Sequence, residues 1–200
     1  MLTSKLSDAV VLILAAGKSE RMGIPKFLLK HPKGETFLAH LVTVYYQSGI
    51  GEIVVVVNTA DFKKYQEHFI KLPQGVRIVQ NPSPEQGRMH SIRLGVQAFT
   101  HNGPCFIHNI DNPFVEEVLL EQLLDHLKEN DYVAPVFENR GGHPLLLSEK
   151  MMTVLIQRSN TFGDLRQVLN SFTGKRVEVE FKEVVLNLNT VEEYLTFNRR

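Results

Sequence analysis

Residues 14–26 read L-A-A-G-K-S-E-R-M-G-I-P-K, and the apolar run Ala9 to Leu14 leads straight into them. A short, partly β-branched run of this kind reads as a buried strand. The small residues and the cations that follow therefore lie on a loop at the strand's carboxyl end, which is where open α/β sheets bind their ligands. Leu14, Ala15, Ala16 and Gly17 bring backbone amides close to an anion, and Arg21 and Lys26 can neutralise several negative charges in a row. The ligand that suits this loop is a chain of phosphates, as in a nucleoside triphosphate.

Working outward from the loop, strand-like and helix-like patterns alternate. Ile53 to Val57, Val76 to Val79, Cys105 to Ile110 and Tyr132 to Val136 repeat the short apolar run. Between them, helical periods run from a Thr36 cap through about Gln47, from an Asp61 cap through about Ile70, and over about Met89 to Phe99, Glu116 to Leu127, Glu149 to Gln157 and Thr190 to Phe197. Such alternation predicts an α/β domain with a mainly parallel sheet covered by helices on both faces. After Val136 it loosens; Pro144 to Leu147 and Val177 to Leu186 read as a hairpin and an antiparallel member of a mixed sheet. One domain of 200 residues is expected, with residues 1–135 as a nucleotide-binding half and 136–200 as an acceptor lobe.

Composition narrows the function classes. The chain has 22 basic and 22 acidic residues and no dense basic stripe, so nucleic acid is not an expected partner. Charge is nonetheless uneven: residues 1–33 hold six Lys/Arg against two Asp/Glu, which suits anion binding near the first strand. Cys105 is the single cysteine, which excludes an intrachain disulfide and a cysteine-cluster zinc site. Met1 to Ser7 contains no apolar targeting core and no run approaches a membrane span, so a cytoplasmic location with no membrane partner is expected.

Two phosphate-binding patterns fail against the loop. A P-loop needs four residues between its glycines and then Lys-Ser/Thr, but five separate Gly17 from Gly23 and Ile24 follows. The dinucleotide fingerprint Gly-x-Gly-x-x-Gly is absent at residues 15–20. The loop instead resembles the signature L-A-A-G-x-G/S-x-R-M-G-x-x-K of the nucleotidyltransferases, in the superfamily that includes the molybdenum-cofactor nucleotidyltransferases. Leu14, Ala15, Ala16, Gly17, Ser19, Arg21, Met22, Gly23 and Lys26 fill its fixed positions. The resemblance implies a three-layer, Rossmann-like sheet of the GT-A-like nucleotidyltransferase type with a small antiparallel substrate lobe.

The resemblance extends down the chain. Residues 108–113, H-N-I-D-N-P, look like the family's strand-end Asp-x-Pro, which implies that Asp111 holds Mg²⁺; an Asx-turn, with Asp111 or Asn112 turning the chain before Pro113, is the competing reading. Residues 187–193, N-L-N-T-V-E-E, resemble D-I-D-T-P-E-D with asparagine for both aspartates, so Asn189 is the second metal position, by its amide oxygen, unless it merely precedes a Thr190-capped helix. Gly87, Ser91 and Gly95 match the base-recognition loop, with Gly87 at the base edge and Ser91 on the ribose or base. Residues 141–144, G-G-H-P, look like the Gly-His-Pro of the cytidylyltransferase branch and make His143 an acceptor contact. The branch's next motif, Gly-Asp-x-Gly-Ala-Arg, is only partly reproduced by T-F-G-D-L-R at 161–166, through Gly163, Asp164 and Arg166.

The implied activity is transfer of a nucleoside monophosphate, CMP from CTP, to a phosphorylated small-molecule acceptor with loss of pyrophosphate. Arg21, Lys26 and Asp111 are the expected catalytic residues, and Mg²⁺ is the expected cofactor. Leu-Ala-Ala-Gly in place of Ala-Gly-Gly favours CTP over GTP. A sugar-phosphate or alditol-phosphate nucleotidyltransferase is the alternative within the class. A glycosyltransferase on the same fold is disfavoured, because residues 109–111 read Asn-Ile-Asp and not Asp-x-Asp; a non-catalytic nucleotide sensor is prompted by Asn187 and Asn189. Cys105, in a core strand, is expected to be inert.

Overall fold

The opening apolar run forms β1 (Val10–Ala15), and α1 (Phe37–Gln47), β2 (Glu52–Asn58), α2 (Thr59–Lys64), α3 (Gln66–Ile70), β3 (Arg77–Asn81), α4 (Arg88–Val96), β4 (Cys105–Asn109) and α5 (Glu117–Leu127) follow. The second half holds β5 (Tyr132–Phe137), β6 (Arg140–Gly141), β7 (Leu145–Leu147), α6 (Glu149–Arg158), α7 (Leu165–Leu169), β8 (Gly174–Glu178) and α8 (Val191–Asn198). The computed structural model describes residues 5–158 and 163–198; residues 1–4 and, in the candidate acceptor motif, Thr161 and Phe162 lie outside the described residues.

One eight-stranded sheet has the order β3-β2-β1-β4-β7-β5-β6, with β8 against β5. The pairs β1 with β2, β1 with β4, β2 with β3 and β5 with β8 are parallel, whereas β7 is antiparallel to β4 and β5, and β6 to β5. The mostly parallel sheet expected from the alternation is therefore present, with its antiparallel members gathered beyond β4.

The period-2 alternation of β1 divides the core into two layers. Val11 and Ile13 pack with Phe37, Leu41 and Tyr45 of α1 and with Leu120 and Leu123 of α5. Val10, Leu12 and Leu14 pack with Ile92 and Val96 of α4, Met151 and Leu155 of α6, and Val168 of α7. Each such side chain taken out of water contributes roughly 1.5–3 kcal/mol before entropy is subtracted. Gly95 lets α4 lie close to the sheet: a Cβ there would stand 2.2 Å from a Leu12 methyl. Cys105 is fully buried in the same layer, and burial pushes its thiol far above the usual range, so it is unreactive.

Two expectations are corrected. The helix expected from an Asp61 cap is two helices, and its cap is Asn58, whose side chain accepts from the Asp61 amide at 2.8 Å while its amide group donates to the Asp61 carboxylate. The first bond is an ordinary N-cap and the second joins the two side chains, and Tyr65 at φ −124° ends the first helix. Val177 to Leu186 is not an antiparallel strand: β8 is Gly174–Glu178 and parallel, and Lys182–Val185 is a 3-10 turn that buries Val184. Strand periodicity is the same for both directions, so it could not choose between them. Among the described residues no helix is long and apolar enough to cross a membrane.

Candidate functional site

After β1 the chain does not enter a helix. It runs through a loop to a 3-10 turn at Lys26–Leu28, and the signature residues divide into those that build the loop and those left at its surface. Ser19 takes a left-handed φ of 51°. Its carbonyl accepts from the amides of Met22 (2.9 Å) and Gly23 (3.2 Å), and its hydroxyl accepts from the Lys26 amide at 3.2 Å. Met22 is buried in the α1 and α5 layer. Ser19, Met22 and Gly23 therefore clamp the loop and aim Lys26. At Gly17, by contrast, no atom lies within 4 Å of where a Cβ would stand, so its backbone faces open space that a phosphate can enter. Ala15 differs from its neighbours: its side chain lies in the opposite core layer, and it is not among the residues lining the spaces described below.

Lys26 is the centre of the arrangement. Its Nζ lies 2.7 Å from Asn189 Oδ1 and 3.4 Å from Asp111 Oδ2, so residues from three distant parts of the chain meet. Asp111 follows β4, and Asn189 precedes α8. The two segments are tied together by the Leu188 amide donating to the Asp111 carbonyl at 2.7 Å. Thr190 also caps α8, accepting from the Glu193 amide, as the competing reading of the Asn189 segment expects. Asn187 is exposed and lines a separate groove with Arg140 and α8.

The Asx-turn reading belongs to Asn112, not to Asp111. Asn112 Oδ1 accepts from the Phe114 amide, whereas Asp111 Oδ1 is buried without a hydrogen-bond partner. A buried carboxylate oxygen without a donor, on a residue that lines the cleft and shares the Lys26 ammonium with an amide oxygen, fits a hard divalent cation that keeps water and phosphate oxygens in its shell. Among the described residues there is no cluster of three or more His, Cys, Asp or Glu side chains that could hold a metal unaided.

Three spaces run in a row past Lys26. Arg21 lines an open mouth of about 420 Å³ with Gly17, Lys26 and Asn189; Lys18 is exposed at its rim. A cleft of about 240 Å³ follows, lined by Leu14, Ala16, Gly17, Lys26, Asp111, Gly87 and Ser91. Beyond it a cavity of about 630 Å³ is lined by His143, Asp164 and Arg166. Gly87, at φ 85°, turns the chain into α4 as a side-chain-bearing residue rarely would. Ser91 lies one turn inside α4, not at its start, and its buried hydroxyl accepts from Asn81 Nδ2 at 3.0 Å, which leaves its proton free to donate.

His143 lies in the large cavity and bonds Asn109 through Nε2 at 3.1 Å. Burial, with the Arg88 charge second, lowers its pKa to about 4, so it is neutral at physiological pH. Asp164, from the partial acceptor motif, caps α7 by accepting from the Gln167 amide at 2.9 Å. That bond accounts for Asp164 structurally. Arg166 is exposed at the same cavity.

The MobA-like NTP transferase domain matches residues 11–179, a span holding the loop, Asp111 and His143. The chain belongs to that family. It is 26% identical over 189 residues to the molybdenum cofactor cytidylyltransferase of Escherichia coli K12, covering 94% of this chain and 95% of the relative. It is 29% identical over 204 residues to a probable molybdenum cofactor guanylyltransferase of Bacillus mycoides KBAB4, covering 95% and 96%. The fold matches that of a nucleotidyl transferase from Methanothermobacter thermautotroptrophicus, with a TM-score of 0.77 at 19% identity over 96% of each chain. The chain is thus a nucleotidyltransferase of the MobA-like family, and its mostly parallel α/β sheet is the one such enzymes share.

Two residues tie this MobA-like site together in ways that the sequence did not show. Asn112 is fully buried and donates to the carbonyls of Glu183 (3.0 Å) and Val184 (2.7 Å). His108 is fully buried; Nδ1 accepts from the Tyr45 hydroxyl at 2.7 Å, and Nε2 donates to the Asn112 carbonyl at 2.6 Å. An Asn-Pro dipeptide marks a turn, but no local pattern says that its amide spans to residues some seventy positions away.

His108 also predicts a pH dependence. Burial first, then the His143 charge, lowers its pKa from 6.5 to about 3. Above pH 6.5 both folded and unfolded chains hold it neutral; below that, the unfolded chain takes up the proton and the folded one does not. Stability therefore falls as pH drops from 6.5 toward 3, by about 1.4 kcal/mol per unit from this group. Urea unfolding of wild type and His108→Gln between pH 6.5 and pH 4.5 is expected to show a slope smaller by about one proton in the variant. Equal slopes would contradict this account.

Proposed function

We propose that the protein transfers CMP from CTP to a phosphorylated acceptor of the molybdenum-cofactor type, with Mg²⁺ as cofactor and pyrophosphate as the second product. The observation that carries the reading is the convergence of the Lys26 ammonium on Asp111 Oδ2 and Asn189 Oδ1, beneath a loop that leaves Gly17 open. A triphosphate laid along the loop would meet Arg21 at the mouth and Lys26 in the cleft, which place positive charge where the leaving pyrophosphate gains negative charge. Lys26 is the better placed of the two, because the Ser19 clamp fixes its backbone before any ligand arrives. Asp111 and Asn189 would hold the Mg²⁺, which when bound draws charge from phosphate oxygens.

The choice of CTP rests on Leu14 to Gly17 and on Gly142-His143-Pro144. The relatives do not choose, since cytidylyl- and guanylyltransferases match at 26% and 29% identity. The acceptor side suits a bulky phosphorylated molecule, because the adjoining cavity is the largest of the three spaces, about 630 Å³.

Thermal unfolding with CTP, GTP, UTP and ATP, each with and without Mg²⁺, tests both parts. At about a hundred times Kd, CTP with Mg²⁺ is expected to raise Tm by roughly 5–10 °C, and more than the other three. A larger shift with GTP would reject the base assignment. No metal-dependent shift with any nucleotide would reject the whole reading.

A further inference from the structure

Arg88 is the first residue of α4, and it lines both the cleft holding Asp111 and the large cavity holding His143. Lys26 has the mirror position: it lines the cleft and the outer mouth, but not the large cavity. One cation therefore stands at each junction in the row of spaces, with Asp111 between them. Arg88 is exposed to solvent where it lines these spaces. The charge of Asp111 stands close enough to favour its protonated form. Among the described residues it makes no hydrogen bond and no ion pair, so its planar fork of donors is uncommitted.

We propose that Arg88 binds the phosphate of the acceptor and fixes the side from which it attacks, an inference that rests on the nucleotidyltransferase reading above. In-line displacement at phosphorus needs the incoming and departing oxygens on opposite sides. Arg21 and Lys26 stand on one side of Asp111, where pyrophosphate would depart. The cation on the other side is then the partner of the incoming phosphate, which a guanidinium can grip through two parallel hydrogen bonds. An acceptor phosphate oxygen forms a bond to the α-phosphorus, the bond from that phosphorus to the bridging oxygen breaks, and pyrophosphate leaves with the electron pair. The attacking oxygen belongs to a phosphate dianion, so no base is required. His143 stays neutral beside Arg88 and adds no charge of its own, which leaves the anion's position to Arg88 and, at the cavity rim, Arg166.

Calorimetric titration of phenyl phosphate into protein saturated with α,β-methylene-CTP and Mg²⁺ is the test, with wild type, Arg88→Gln and Arg88→Lys. Phenyl phosphate is expected to bind wild type, to bind Arg88→Gln about tenfold to a hundredfold more weakly, and to bind Arg88→Lys with intermediate affinity. The affinity for α,β-methylene-CTP should fall by clearly less than that for phenyl phosphate in both variants, although Arg88 also lines the nucleotide cleft. Undiminished phenyl phosphate binding in Arg88→Gln would overturn the proposal, and so would an equal loss for the nucleotide analogue, which would assign Arg88 to the triphosphate. Failure of wild type to bind the analogue would instead overturn the underlying nucleotidyltransferase reading. If the analogue binds and phenyl phosphate does not, the acceptor proposal alone falls.

Discussion

Lys26→Ala is expected to lower pyrophosphate release about a hundredfold to a thousandfold, with Mg²⁺ and an acceptor that the wild type turns over. The side chain is 14% exposed and its ammonium lies against Asp111 and Asn189, so it works in a partly desolvated cleft where charge is screened less than in bulk water. Its loss removes positive charge where the leaving group develops negative charge and leaves Asp111 facing the phosphates unopposed. Both effects raise the barrier. Circular dichroism should be unchanged, because the Ser19 clamp acts on the Lys26 backbone amide and not on its side chain. Asp111→Asn separates the electrostatic roles: the metal-dependent part of the nucleotide thermal shift should vanish, while nucleotide binding without metal should not weaken. A folded Lys26→Ala protein that released pyrophosphate at the wild-type rate would remove Lys26 from the reaction.

Asn112→Ala is expected to destabilise the fold by about 3 kcal/mol or more, and to lower Tm by roughly 6–12 °C. The side chain is fully buried and makes three hydrogen bonds, to the carbonyls of Glu183 and Val184 and from the amide of Phe114. Alanine leaves those groups without partners in a dry interior, at about 1–3 kcal/mol each where water cannot replace the bond. The change should also loosen the site. The turn at Asn112 sets Asp111, whose carbonyl accepts from Leu188 immediately before Asn189. A smaller nucleotide-induced shift is therefore expected even at temperatures where the variant is folded. Urea unfolding within about 1 kcal/mol of wild type would show that the buried amide is not the tie between these segments.

Much of the fold was legible because it depends on local periodicity. β1 alternates strictly between two apolar layers, and α1 carries its Thr36 cap and its buried stripe within eleven residues. The Asn58 cap was legible too, as Asn58 with Asp61 three positions on, but a cap placed at Asp61 joins α2 and α3 into one helix that the chain does not form. β8 was not legible: four of its five residues are exposed, so it lacks the apolar run that marks a strand. It is held by backbone pairing to β5, and no side-chain pattern records that. The apolar residues after it, Val184 above all, pack beneath the site as a 3-10 turn, which imitates strand composition without strand geometry.

The candidate site divides the same way. By itself the sequence determined the strand, the phosphate-loop signature and the family, because a tight loop depends on residues within a few positions of one another: Ser19 holds Lys26 across seven. The tertiary structure alone decided what Lys26 faces. Asp111 lies 85 positions away and Asn189 163, and sheet register with the Asn112 tie brings them within hydrogen-bonding reach. It also decided that Arg88, one unremarked arginine at a helix start, stands between Asp111 and His143. Charge acts through distance in space, and distance in space is fixed by packing across the sheet, for which a run of residues along the chain carries no local code.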